Sequence, residues 1–393
     1  MIYSDLIIPE NNWKYIQQAV QNNRIPHALL FHGPRGSGKE GCAIEVIAWM
    51  NCKTPTDSDG ACGTCSSCIK VIGFQHPNVL FIHPMPSTSG NIHRDGGLFH
   101  TLPNTSLKHF REMLVNKGID PYSDIDLKAN TIPVQIIREC RKDLFMSSVE
   151  SGWRIVLIFQ ADLLCTGGMA AANALLKILE EPPENTLFIL VTDQKEKLLD
   201  TINSRCHDLF FPPLNDSAIE TLLIQRKIPE DRINVLSKMC RGDVQTALIL
   251  NENYDLIESE RTIILKAIFS ENPRYWRTFQ NRITDLSRSG MVSMFNTFFY
   301  IHAAIFKDLL LVQKIENGAN LIFPDLNKKY ESILEAYPGA DFHACIDIIE
   351  SAMTFFDKNV NVSLNALNIL LDIRNALNRK NESLSWDFDF KFV

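Results

Sequence analysis

The chain has 393 residues, a length that suggests about two to four domains. Its 45% hydrophobic and 22% charged residues are ordinary globular usage, and the net charge of −7 excludes a uniformly basic nucleic-acid coat, although not a local basic patch. No apolar run approaches the ~18 residues that predict a membrane span, and the start lacks the pattern of a secretory signal. The sequence therefore predicts a cytoplasmic protein with no membrane partner.

The first structural signal is a short apolar run at 27–31, a glycine loop and a helical pattern that reaches Met50. The loop fits G-x-x-x-x-G-K, in which backbone N–H groups and the helix N-terminus form a cradle for phosphates. A working loop continues with Ser or Thr for magnesium, but this chain has Glu40. We expect a degenerate P-loop in which ATP binding is doubtful. Its candidate phosphate-binding residues are Gly33, Gly36, Gly38 and Lys39.

A cysteine cluster with the spacing C-x9-C-x2-C-x2-C follows the P-loop helix. Four thiolates at such spacing favour a tetrahedral structural zinc site with no open position for catalysis. Four unrelated buried thiols, or a redox C-x-x-C pair, are the alternatives. The predicted zinc ligands are Cys52, Cys62, Cys65 and Cys68.

A loop-rich stretch at 85–130 interrupts the regular pattern and is interpreted as an insertion or flexible excursion. Inside it, Ser106 is a possible cap for a short helix that stops at Gly118. The sequence assigns no chemistry to this insertion, and none to the aromatic and acidic tail at 386–392.

Strands and helices alternate over the first half of the chain, a pattern typical of a parallel sheet with helices on both faces. Residues 215–250 predict a small helical unit, and the pattern from about 253 onward is helical almost throughout. The predicted strands after the first lie at 78–82, 154–159 and 186–191, and the predicted helices at 134–145, 170–181 and 196–202.

A second defect in the hydrolytic machinery lies at the end of the 154–159 strand. An ATPase places Asp-Glu there for magnesium and water, whereas this chain has Phe159 and Gln160. Asp162 lies two residues further on, and we expect it to stabilise a loop or turn instead of binding metal. Without these carboxylates, phosphoryl transfer loses most of its catalytic contributions.

Three features together resemble one family. They are the glycine loop with its strand, the cysteine spacing, and the stretch Ala172-Asn-Ala-Leu-Leu-Lys-Ile-Leu-Glu-Glu-Pro-Pro183, which is followed by Thr201-Ile-Asn-Ser-Arg-Cys206. Over roughly residues 1–250 the chain is similar to the bacterial DNA polymerase III clamp-loader subunits, the gamma/tau and delta-prime group of AAA+ proteins. The resemblance implies an α/β AAA+ P-loop domain over 1–212 containing a zinc module at 52–68, a small helical lid over 213–252 and a helical oligomerisation collar over 253–393.

Within that group the resemblance favours the delta-prime type. The gamma/tau type carries Ser or Thr after the loop lysine, Asp-Glu at the magnesium position and a sensor arginine in the small domain. Here those positions hold Glu40, Phe159-Gln160 and Gln245. The resemblance also implies that Thr192 lies at a sensor position. These losses predict a subunit with no ATP hydrolysis of its own.

The Ser204-Arg205-Cys206 motif is retained beside this disabled loop. From composition alone, Arg205 reads as a plain surface charge. The resemblance instead implies an arginine finger that acts in trans on ATP bound by a neighbouring subunit, with Ser204 fixing the turn. The implied partners are gamma/tau and delta subunits, the sliding clamp and, through the assembled complex, primed DNA.

Two alternatives stay open. An ATP-binding gamma/tau-like motor subunit would need magnesium ligands that the sequence does not show. A zinc-containing nucleic-acid binder would need a basic, aromatic face near the cysteines, but that segment holds Asp57, Asp59 and a single lysine, Lys53, before Cys62.

Overall fold

The computed structural model describes residues 1–55, 60–85, 104–125, 127, 129–146, 152–270, 272–288, 292–314, 320–355 and 362–378. The chain forms two compact units. The first comprises Met1–Gln225 and Arg241–Gln245, and the second Arg226–Cys240 and Thr246–Val393. The limits of the lid and the collar stay predictions. Asp57, Asp59 and the tail at 386–392 lie outside the described residues.

A five-stranded parallel sheet forms the centre of the first unit, with the strand order β2-β3-β4-β1-β5. Its middle strands are apolar and buried, as expected of a sheet that is covered on both faces. The strands are β1 (Ala28–His32), β2 (Val79–Ile82), β3 (Arg154–Ile158), β4 (Thr186–Thr192) and β5 (His207–Phe210).

Eight helices of the first unit accompany this sheet in the described part of the chain. The step from β1 to β2 runs in one direction across the sheet, and the steps to β3, β4 and β5 run in the other. Right-handed crossovers therefore place α2 and α3 on one face and α4 to α7 on the opposite face. The helices are α1 (Glu10–Gln21), α2 (Lys39–Met50), α3 (Ser66–Ile72), α4 (Asn104–Ile119), α5 (Val134–Phe145), α6 (Ala170–Glu180), α7 (Asp200–Asn203) and α8 (Asp216–Gln225).

Helices build the described part of the second unit, which includes the buried aromatic residues Phe279, Phe298 and Phe299 around His302. Helix α10 begins at the end of the first unit. The helices are α9 (Glu230–Met239), α10 (Val244–Glu252), α11 (Tyr254–Phe269), α12 (Pro273–Arg288), α13 (Val292–Lys314), α14 (Asn327–Ala336), α15 (Phe342–Phe355) and α16 (Val362–Leu377).

Three sequence expectations differ from the observed elements. Helix α4 does not stop at Gly118 but continues to Ile119. Glycine is required at 118 for another reason: a side chain there would collide with the Ile72 carbonyl, and its absence allows α4 to lie against α3. The predicted helix at 196–202 is interrupted by extended backbone at Leu198 and Leu199, with ψ of 151° and 138°. Strand β5 was not predicted, since this short edge strand buries only Leu209.

One helix differs from the expectation that no segment is apolar enough to span a membrane. Within α13, the stretch Phe295–Lys314 is long and apolar enough by length and composition. However, 67% of its most apolar window is buried inside the protein, and core helices of soluble proteins pass the same test. This helix is therefore weak support for a membrane span.

Candidate functional site: a P-loop cavity and a cysteine cluster

The glycine loop joins β1 to α2, next to the end of β4. Gly36 and Gly38 have φ of +69° and +84°, in the left-handed region that favours glycine. A Cβ at Gly38 would lie 2.7 Å from the Ile7 carbonyl oxygen, so the N-terminal segment packs directly on the loop. The loop therefore has the tight backbone that a phosphate cradle needs.

Lys39, the first residue of α2, already has an anionic partner. Its ammonium forms an ion pair with Asp193 and donates a hydrogen bond to the Pro34 carbonyl at 2.9 Å, and the residue is only 4% exposed. Burial raises the pKa of Asp193, and the positive charge of Lys39 partly offsets this rise. The lysine that would neutralise phosphates in a working loop is held by a carboxylate of the same chain.

Glu40 forms an ion pair with Lys117, which is 1% exposed and lies in α4. Lys117 Nζ also donates hydrogen bonds to the Pro121 and Ser123 carbonyls, at 2.9 and 2.8 Å. Burial alone would raise the pKa of Glu40, but the charge and hydrogen bond of Lys117 hold it below its usual value. Glu40 is thus an ionised carboxylate with an internal counter-ion.

Arg35, in the glycine loop, is paired in a third internal contact. It forms an ion pair with Asp124, and its Nε donates a hydrogen bond to Gln245 Oε1 at 2.7 Å. Burial raises the pKa of Asp124, and the positive charge of Arg35 partly offsets this rise. Gln245, which stands where the resemblance implies a sensor arginine, therefore contacts the loop as a neutral hydrogen-bond acceptor.

The ends of β3 and β4 close the other side of the site. Thr192 Oγ1 donates a hydrogen bond to Asp162 at 2.6 Å and accepts one from the Gln194 backbone N–H at 3.0 Å. Phe159 is buried and stacks on the His83 ring at 4.2 Å between centroids. The position after β3 therefore presents an aromatic ring to the core, and Asp162 supports Thr192.

These residues line a cavity of about 310 Å³. The three cationic side chains that line it in the described part of the chain each form an ion pair with a lining carboxylate. A polyphosphate would have to displace these carboxylates, because it would meet their negative charge. The pairs are Arg35–Asp124, Lys39–Asp193 and Glu40–Lys117.

The four predicted cysteine ligands converge, with all ligand atoms within 4.8 Å of one another. Four of the Sγ–Sγ separations lie between 3.5 and 3.9 Å. Four sulfurs around one zinc ion, at ~2.3 Å each, are about 3.8 Å apart, so the donor set fits a tetrahedral metal. The cluster can hold a metal ion through Cys52, Cys62, Cys65 and Cys68.

Backbone N–H groups point at three of these sulfurs. Cys62 N donates to Cys52 Sγ at 3.4 Å, Cys65 N to Cys62 Sγ at 3.3 Å and Cys68 N to Cys65 Sγ at 3.5 Å. The hydrogen bond from the Thr54 hydroxyl is the largest cause that lowers the pKa of Cys62, to about 5. These donors stabilise thiolates, the form that binds metals.

Arg205 follows α7 and does not line the cavity. Its guanidinium donates to Glu180 Oε1 at 2.9 Å and to the Thr201 carbonyl at 3.0 Å, and its side chain is 35% exposed. The Ser204 hydroxyl also donates to the Thr201 carbonyl, at 3.2 Å. The arginine therefore lies at the surface with one exchangeable ionic partner.

Sequence reasoning missed four titratable residues that line the cavity. Lys117, Tyr122 and Asp124 belong to the stretch that was interpreted as an insertion without chemistry, and Asp193 directly follows Thr192. Only the position of Asp193, at the end of a predicted strand beside the glycine loop, was a signal that could have been used. The ion pair of Lys117 with Glu40 spans 77 residues, which no local pattern reveals.

A parallel sheet whose first strand leads through a glycine loop into a helix defines a P-loop protein. The family model described as "DNA polymerase III, delta subunit" matches residues 8–215. This is more than half of the chain, and the chain belongs to that family.

Relatives of two kinds match the chain. The Bacillus subtilis DNA polymerase III subunit delta' is 28% identical over 253 residues, 64% of this chain and 61% of that protein. The Bacillus subtilis subunit tau is 22% identical over 396 residues, 98% of this chain and 58% of that protein. The chain thus spans about six tenths of each relative. A Thermotoga maritima structure described as gamma subunit-related gives a TM-score of 0.41 at 17% identity, covering 93% of this chain and 99% of its own.

Proposed function

We propose that the chain is a clamp-loader subunit of DNA polymerase III, of the delta-prime type, that does not hydrolyse ATP itself. The observation that supports this most strongly is the ion pair between Lys39 and Asp193. A P-loop lysine works by neutralising phosphate charge. In this chain the Lys39 charge is already balanced by Asp193. Glu40 replaces the loop hydroxyl, and the Lys117 ammonium beside it would take the place of magnesium.

The site gives less support to the alternative function, an ATP-hydrolysing subunit of the gamma/tau type. Relatives of both kinds match, so similarity alone does not separate them. A motor subunit needs carboxylates that hold magnesium and orient water. Phe159 is instead a buried ring, and Asp162 is engaged by Thr192.

In this proposal Arg205 completes the active site of a neighbouring subunit. A guanidinium that is partly exposed and held by one surface carboxylate can exchange Glu180 for a partner's γ-phosphate without disturbing the core. The proposed partners are gamma/tau and delta subunits, the sliding clamp and primed DNA, in the cytoplasm. The proposed lid at 213–252 draws on both compact units, and the second unit would supply the oligomeric collar at 253–393.

The cysteine cluster is proposed to bind structural zinc. Cys52 follows α2 closely, and Cys65 caps α3 with its side chain, so one ion would join the two helices. No open coordination position is left for catalysis in a four-thiolate site. Its role would be to hold the end of the P-loop helix in place.

The test combines two measurements on the full chain. Affinity purification of the tagged chain from its own organism, with identification of what copurifies, should recover gamma/tau and delta subunits in stoichiometric amounts. The purified chain alone should hydrolyse ATP no faster than its Lys39→Ala variant, because Lys39 takes no part in turnover. Recovery without these subunits would contradict the complex, and Lys39-dependent turnover would favour the motor reading.

A further inference from the structure

We propose that the Glu40 carboxylate and the Pro121 and Ser123 carbonyls form a cation site that the chain fills with its own Lys117 ammonium, where a working P-loop would place magnesium. The inference deepens the proposed function, because it concerns the same cavity. The carboxylate after the loop lysine and the lysine of the inserted helix form one compensated pair.

The contacts of Lys117 are those of a bound ion. An ammonium has three N–H donors, and three oxygens surround this one: a Glu40 carboxylate oxygen and the carbonyls of Pro121, at 2.9 Å, and Ser123, at 2.8 Å. The residue is 1% exposed, so protein oxygens replace its hydration. One carboxylate with two carbonyls is also a ligand set that suits hard divalent cations.

The segment that carries these oxygens is fixed on both sides. Tyr3 Oη donates a hydrogen bond to the Lys117 carbonyl at 2.9 Å, and Tyr122 Oη accepts one from the Ile7 backbone N–H at 2.9 Å. A Cβ at Gly41 would lie 2.6 Å from Pro121 Cβ, so only glycine lets the segment approach α2 this closely. The Lys117 ammonium and the two carbonyls therefore belong to one packed segment, 117–123, which is held against α2.

The charge balance explains why both residues are needed. A buried carboxylate beside the phosphate cradle is costly without a counter-ion, and a buried ammonium is equally costly without an anion. Lys117 is the counter-ion of Glu40, so the carboxylate needs no cation from solution. If the ammonium is removed while the segment stays, the three oxygens should accept a metal ion from solution.

The test is Mn²⁺ binding to full-length Lys117→Met, in which the apolar side chain keeps most of the stem and loses the charge. We expect the dissociation constant for Mn²⁺, measured by calorimetry and by the Mn²⁺ EPR signal, to fall at least tenfold relative to wild type. Glu40→Gln added to Lys117→Met should abolish the gain. The matched control is Lys108→Met on the same helix, where the lysine is 82% exposed, and it should leave Mn²⁺ binding unchanged.

A folded Lys117→Met variant that binds Mn²⁺ no better than wild type would overturn the proposal. If Lys117→Met does not fold, the double variant with Glu40→Gln decides: recovery of cooperative unfolding supports the compensated pair, and no recovery overturns it. ATP hydrolysis by the wild-type chain would defeat the proposed function while leaving the Mn²⁺ result to stand. The two failures are therefore distinguishable.

Discussion

Asp193 and Lys39 meet because two neighbouring parallel strands end side by side. β1 pairs with β4 so that His32 lies opposite Thr192. Lys39 follows β1 after the glycine loop, and Asp193 follows β4 directly. The strand register itself brings the carboxylate to the loop lysine, which makes their ion pair a property of the sheet.

Removing the charge of Asp193 should restore an anion site at the loop. We expect Asp193→Asn to bind inorganic pyrophosphate, without metal, about tenfold more tightly than wild type, equivalent to ~1.4 kcal/mol, because Lys39 then lacks its internal anion. Calorimetric titration measures this. Asp208→Asn is the matched control, since it breaks an aspartate–lysine contact with Lys195 outside the cavity. Equal affinity in all three proteins would show that Asp193 does not block the loop.

The cysteine cluster predicts one zinc ion per chain by metal analysis. Cys65→Ser should release it and lower the free energy of unfolding by about 3 kcal/mol or more, because metal binding contributes to folding. Elemental analysis and chemical denaturation report the two effects. Cys165→Ser, outside the cluster, should keep the metal. A metal-free wild-type protein of unchanged stability would refute the zinc site.

Arg205→Ala should leave folding and assembly intact, since a surface arginine with one ion pair contributes little to stability. In a complex rebuilt with the variant, clamp- and DNA-stimulated ATPase and clamp loading should fall. Arginine fingers supply ~10³–10⁵ in rate at one site, but the total loss is smaller because the other sites continue. Arg232→Ala, which breaks a surface pair with Asp255, is the control. Wild-type turnover with Arg205→Ala would leave this arginine as an ordinary surface charge.

Acid should destabilise the second unit through His302. This histidine is buried, and burial lowers its pKa to about 3. Below pH ~6.5 the unfolded chain binds a proton at this position and the folded chain does not, so stability falls as pH falls from 6.5 towards 3, by about 1.4 kcal/mol per unit. Urea unfolding from pH 7 to pH 5 should show a shallower decline for His302→Leu.

The control for that experiment is His109→Leu, at an exposed position, which should keep the wild-type slope. An identical pH dependence in His302→Leu and wild type would mean that folding does not lower the pKa of His302.

Local patterns predicted the helices and strands whose signal is contained within their own segment. The helix at 134–145 and the strand at 186–192 were placed to within a residue, because amphipathic period and continuous apolarity are properties of the segment alone. The cysteine cluster was predicted from its spacing, and the residues do converge. Edge strand β5 carries little apolar signal and was missed.

The internal ion pairs could not be predicted, because each depends on tertiary packing. The sequence marks Glu40 as a defect of the loop, and only the fold brings Lys117 beside it. Lys117 lies in the short helix that the sequence predicts up to Gly118, but no local signal links that helix to the glycine loop. Gly118 was interpreted as a helix stop, whereas the close approach of Ile72 is what requires glycine there.

The paired cavity bears on how the protein fares when a cell runs short of energy. A protein whose folded state binds nucleotide gains RT ln(1 + [L]/Kd) from it, so its melting temperature follows the size of the nucleotide pool. Arg35, Lys39 and Lys117 are neutralised by carboxylates of the same chain, whose effective concentration never changes. We therefore expect the melting temperature of this protein to stay unchanged when the nucleotide pool falls.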